Sequence, residues 1–67
     1  MNNLQNKEIS VIVPFYNEEN FIEQSISRLI DTNLFKKIIL VNDKSSDTSG
    51  QIAKKICEKF DFIQLIN

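Results

Sequence analysis

The sequence has no histidine or tryptophan and holds only one cysteine, one glycine and one proline in 67 residues. Without histidine, neither Ser-His nor Cys-His nucleophilic catalysis can be assembled from these residues, and zinc chemistry loses its commonest ligand. The lone Cys57 excludes an internal disulfide and any Cys-x-x-Cys pair, which suits a reducing cytoplasm. A single glycine, Gly50, excludes both Gly-x-Gly-x-x-Gly and the Walker loop, because each needs several glycines to bring backbone close to phosphate. Eight basic residues face nine acidic ones, for a formal charge of −1, so no basic stripe is available to neutralise a nucleic-acid backbone. No apolar run approaches the roughly 20 residues that span a bilayer. The opening residues M-N-N-L-Q-N-K-E form a polar tail (residues 1–8) without the apolar centre of a secretion signal. The expectation is a soluble cytoplasmic unit.

What is present is strongly patterned. Ile9 to Val13 (I-S-V-I-V) is short, β-branched and almost continuously apolar, as in a strand covered on both faces of a parallel sheet, and Pro14 is expected to end it. From Glu18 to about Asp31, Ile22, Ile26, Leu29 and Ile30 recur at helical spacing, with Asn17 or Asn20 as candidate caps and two glutamates in the first turn. Lys37 to Asn42 (K-I-I-L-V-N) repeats the strand signature. Thr48 and Gln51 fit a capping box, with Asp47 as the rival cap, ahead of a second helix to about Phe60 whose stripe is Ile52, Ala53, Ile56, Cys57 and Phe60. Phe62 to Ile66 (F-I-Q-L-I) reads as a third strand. This order predicts an α/β fold: a parallel β-α-β-α-β half of a Rossmann-like domain with right-handed crossovers. In such folds the first strand is normally central, so an apolar edge is expected to stay bare unless a further C-terminal portion or a self-association partner covers it.

Ligands of open parallel sheets bind outside the carboxyl ends of the strands. Both polar clusters fall there, Pro14 to Glu19 after the first strand and Asn42 to Asp47 after the second, so they are expected to converge on one crevice. An aromatic ring can stack on a base and a carboxylate can accept from its ring N–H.

S-V-I-V-P-F-Y-N-E-E (Ser10 to Glu19), followed by I-I-L-V-N-D-K-S-S-D-T (Ile38 to Thr48), resembles the opening of family 2 glycosyltransferases. These enzymes have the GT-A fold and include polyprenyl-phosphate sugar transferases and bacterial polysaccharide glycosyltransferases. The resemblance runs from Ile9 to the last residue. It implies that residues 9–67 are the N-terminal nucleotide-binding part of a longer inverting enzyme. Such an enzyme takes its sugar from a UDP- or GDP-linked donor and passes it to a lipid-phosphate, saccharide or other hydroxyl acceptor, at the cytoplasmic face of a membrane in some forms. Pro14, Tyr16, Glu18 and Asp43 correspond to nucleotide-contacting positions, with Asn17, Asn42 and Lys44 as secondary candidates. Asn42 stands where the family usually has its first aspartate, losing the charge but keeping an acceptor that can order the loop; Lys44 stands where the family usually has glycine, and either rests near a diphosphate or reflects a loop that no longer needs left-handed geometry. The resemblance also implies Mg²⁺ or Mn²⁺ in the full-length enzyme, held by a later Asp-x-Asp motif, and a later catalytic aspartate. Neither lies in these residues, so the unit alone is expected to bind without turnover.

Each position also has a structural reading. Pro14 can simply terminate a strand, Tyr16 can pack over the sheet end, Glu18 can partner a helix dipole, and Asp43 can accept loop N–H groups. The alternative function is a small non-catalytic α/β module or gene remnant acting through self-association or a protein partner.

Overall fold

A computed structural model describes residues 8–67; the polar tail expected at residues 1–8 lies almost wholly outside them. The described chain runs β1 (Ile9–Phe15), α1 (Ile22–Thr32), β2 (Phe35–Asn42), α2 (Ser49–Lys59) and β3 (Ile63–Ile66). All pairings are parallel, in the order β1-β2-β3.

Both crossovers step in the same direction across the sheet, so right-handed connections bring α1 and α2 to the same face. Strand alternation then sorts the side chains. Val11, Val13, Phe15, Ile38, Leu40, Ile63 and Leu65 turn inward and pack with Ile22, Ile26, Ala53 and Ile56 of the helices. Ile38 and Leu40 on the central strand are completely buried. The other face presents Ile12, Pro14, Ile39, Val41 and Ile66, with Ile12 65% and Ile66 53% exposed. Apolar strands on both faces, read as a doubly covered sheet, are covered on one side only among the described residues. Among the described residues no strand pairs with the outer edge of β1, the edge anticipated from strand order.

Four features of the sequence reading are revised, and β3 also starts one residue later than predicted, at Ile63 rather than Phe62. First, β1 continues through Pro14 to Phe15, pairing Pro14 with Val41 and Phe15 with Asn42. The Phe15 carbonyl accepts from Asp43 N–H at 2.9 Å. Because donor and acceptor alternate sides along a strand, the imide nitrogen of Pro14 faces the open edge, where its missing N–H breaks no ladder bond. Second, α1 begins at Ile22 rather than Glu18, after a turn in which the Glu18 carbonyl accepts from Phe21 and Ile22 N–H. Its N-cap is Phe21, without a side-chain hydrogen bond, so neither asparagine is used as predicted. Third, the Thr48–Gln51 capping box does not form, since the Thr48 hydroxyl is engaged elsewhere. Fourth, β2 starts two residues earlier than predicted, at Phe35. At its far end α1 closes on left-handed Asn33 (φ 56°), whose N–H returns to the Ile30 carbonyl.

Candidate functional site

Two loops leave the carboxyl rim of the sheet side by side, Tyr16 to Phe21 after β1 and Asp43 to Thr48 after β2. Their first residues are neighbours because Phe15 and Asn42 are paired and Asp43 N–H continues the ladder onto the Phe15 carbonyl. Tyr16 and Asp43 therefore emerge at the same mouth. Tyr16 is 57% exposed, so its ring is not used up by packing. Asp43 and Glu18 are exposed as well. Pro14 lies one residue inside the strand, on the uncovered face.

The loops are tied to one another by side chain-to-backbone bonds. Asn17 sits in left-handed backbone (φ 51°), and its Oδ1 accepts from Ser46 N–H at 2.8 Å and Asp47 N–H at 3.3 Å. Asn17 N–H in turn donates to Ser45 Oγ at 3.0 Å. Glu18 N–H donates to Ser49 Oγ at 2.7 Å, and Glu19 N–H to Asp47 Oδ2 at 3.2 Å. In the reverse direction, Thr48 donates its N–H and its hydroxyl to Glu19 Oε1 at 3.0 and 2.8 Å. Burial pushes the Asp47 carboxyl up, but the bonds from the Ser49 hydroxyl and N–H, from Glu19 N–H and from its own N–H outweigh this and hold it below its ordinary value of 3.8.

The secondary candidates separate by role. Asn42 orders the second loop: its Oδ1 accepts from Ser45 N–H at 2.9 Å and its amide donates to Asn67 Oδ1 at 3.1 Å. Lys44 corrects the sequence expectation, because its φ of 62° shows that the left-handed turn is kept although the glycine is not. Its side chain is exposed. An open depression of about 370 Å³ lies beside the second loop, lined by Asn42, Ser45, Asp47, Gly50, Gln51, Lys54, Leu65 and Asn67. Tyr16 and Asp43 are outside it. Among the described residues, no three or more His, Cys, Asp or Glu side chains converge as metal ligands.

Sequence reasoning missed Ser49 and Glu19. Ser49 is fully buried at the first position of α2. Its signal was its spacing: positions 49, 52, 53, 56 and 60 form one stripe, so the serine extends the apolar face and needs internal partners.

A parallel β-α-β-α-β layer with its polar loops gathered on one rim is an α/β unit of the GT-A half-domain type. The comparison with protein families is more specific: the model for glycosyl transferase family 2 matches residues 10–67, and the chain belongs to that family. It is 39% identical over 62 residues to "Probable glycosyltransferase YdaM" of Bacillus subtilis strain 168, covering 88% of this chain and 15% of that protein. It is 43% identical over 60 residues to "Uncharacterized glycosyltransferase EpsJ" of the same strain, covering 88% and 17%. It is 39% identical over 56 residues to the poly-beta-1,6-N-acetyl-D-glucosamine synthase of Staphylococcus aureus strain MSSA476, covering 82% and 14%. The chain thus spans about a sixth of the length of these relatives. No solved structure matches it significantly. No helix among the described residues is long and apolar enough to cross a membrane.

Proposed function

We infer that this unit recognises the nucleotide of a nucleotide-diphosphate sugar, as the donor-binding portion of an inverting glycosyltransferase acting on a lipid-phosphate, saccharide or other hydroxyl acceptor. Family membership implies a nucleotide-sugar donor in general. The observation that carries the site assignment is the Asp43 N–H to Phe15 carbonyl bond of 2.9 Å, which brings the residues after β1 and β2 to one mouth. There the Tyr16 ring offers a stacking surface, the Asp43 carboxylate an acceptor for a ring N–H of uracil or guanine, and Pro14 and Glu18 the flanks of the slot. These residues bind and orient. The general base that activates the acceptor hydroxyl, and the ligands of the Mg²⁺ or Mn²⁺ that offsets charge on the leaving diphosphate, are assigned by the resemblance to motifs outside residues 9–67. The similarity to a poly-beta-1,6-N-acetyl-D-glucosamine synthase supports a place in polysaccharide assembly.

The exposed Ile12 and Ile66 favour a second reading, a module that docks a protein partner or a second copy through its bare face. A titration with UDP and GDP, with and without Mn²⁺, distinguishes the two. Perturbation of Tyr16 and Asp43 resonances by nucleotide, weakened by Tyr16→Ala and Asp43→Ala, supports the donor site. No interaction at millimolar nucleotide overturns it in favour of the docking module.

A further inference from the structure

The two rim loops cap each other. Glu19 Oε1 takes the N–H of Thr48 at the start of α2, while Asp47 Oδ2 takes the N–H of Glu19 in the turn that leads into α1. Asp47 does more, since its Oδ1 also accepts from Ser49 N–H at 2.9 Å and from the Ser49 hydroxyl. That hydroxyl, sealed from solvent, is the acceptor for Glu18 N–H. One carboxylate thus orders the backbone of the first loop at two consecutive residues, directly at Glu19 and through Ser49 at Glu18. The Ser49 bonds are local to the start of α2, whereas the bond from Glu19 N–H reaches across to another element and the Ser49 hydroxyl extends that reach to Glu18 N–H.

We propose that Asp47, acting through Ser49, is a positioning residue for donor binding: it fixes Asn17 to Glu19 against the first turn of α2 and so sets how Tyr16 and Asp43 confront the base of a nucleoside diphosphate. The proposal rests on the donor-site reading above. Backbone strain supports it. Asn17 and Lys44 both hold left-handed geometry without being glycine, and such residues persist only where the surroundings over-determine them. Asn17 is held by Ser45 Oγ and by the N–H groups of Ser46 and Asp47, and the Asp47 and Ser49 side chains fix the two residues that follow it, Glu18 and Glu19. The chemistry requires a carboxylate, because three donors converge on its two oxygens. An amide in its place would turn its NH₂ toward either Glu19 N–H or the Ser49 pair, setting donor against donor.

The test uses the 67-residue chain and its Asp47→Asn and Asp47→Ser variants, the second keeping an acceptor for Ser49 N–H but none long enough to reach Glu19. Amide exchange at Ile38 and Leu40 reports whether the sheet is intact. Exchange at Glu18 and Glu19 reports the loop, and UDP and GDP titrations report the slot. With sheet protection unchanged, the expected result is about tenfold faster exchange at Glu18 and Glu19 and about tenfold weaker nucleotide binding, the scale of one lost charge-assisted bond. Native-like affinity in a folded variant overturns the proposal while leaving the donor site standing. A native chain that binds neither nucleotide overturns the donor site, and the positioning role with it.

Discussion

Replacing Gly50 by alanine should reverse the usual sign of a helix substitution. Gly50 occupies the first turn of α2, and removing a glycine from a helix ordinarily gains roughly 0.5–1 kcal/mol. Here a Cβ would stand 2.8 Å from the Asn42 amide nitrogen, inside van der Waals contact. Asn42 cannot swing aside freely, because it holds Ser45 N–H through Oδ1 and Asn67 through its amide. Displacing it forfeits about 1 kcal/mol at the part-buried Ser45 bond and roughly 0.5 kcal/mol at the exposed one, and it loosens the Ser45 hydroxyl that receives Asn17 N–H. The helix gain is outweighed, leaving a net loss of about 0.5–1 kcal/mol, or a fall in Tm of roughly 2–8 °C for a domain of this size. The decisive measurement is a double-mutant cycle by urea denaturation. In an Asn42→Ala background the obstacle is gone and Gly50→Ala should stabilise by roughly 0.5–1 kcal/mol. Stabilisation by Gly50→Ala in the native background, or the same loss in both, would show that the contact between α2 and Asn42 does not govern this position.

Three further outcomes follow from the same geometry. Lys44→Gly should stabilise by about 0.5 kcal/mol, since relief of a left-handed lysine exceeds the added freedom of glycine in the unfolded chain; a loss above about 1 kcal/mol in thermal unfolding would contradict the backbone assignment. Because the folded-state value of Asp47 lies below 3.8, its contribution is fully present above that pH and disappears as pH falls through the folded value. The stability gap between native chain and Asp47→Asn should therefore narrow on acidification below pH 3.8, and a gap constant from pH 6 downward would exclude the assigned bonds. Burial first, and the charge of Glu58 second, push the Cys57 thiol above its ordinary 9.0, so alkylation at pH 8 should run slower in the folded chain than in urea; equal rates would place the thiol in open solvent.

The order of elements, both helical stripes and the rim that gathers the polar loops were all legible, because apolar spacing and β-branched runs are local properties. Boundaries were less so. β1 passes through Pro14 because β2 extends far enough to pair with it on the side that needs no proline donor, a fact about a partner 27 residues away in register. The start of α1 shifted because Asn17, a good cap in isolation, spends its oxygen on Ser46 and Asp47 of the other loop. Gly50 was legible only as an argument against phosphate loops; its use is a close approach to Asn42, which no composition reveals. Of the candidate contacts, Tyr16 and Asp43 could be placed together from topology alone. Glu19 and Ser49 could not, since their partners lie 29 and 31 residues distant.

Surface loops usually absorb added residues without harm. The interlocked rim implies the contrary for this molecule: lengthening either loop by even one residue would pull acceptors away from donors in both at once. Material to be spliced in, whether a tag, a label or a whole guest domain, belongs instead at the opposite rim. There the Asn33–Leu34 junction joins α1 to β2, with Leu34 half in water and its N–H donating to the neighbouring Thr32 hydroxyl.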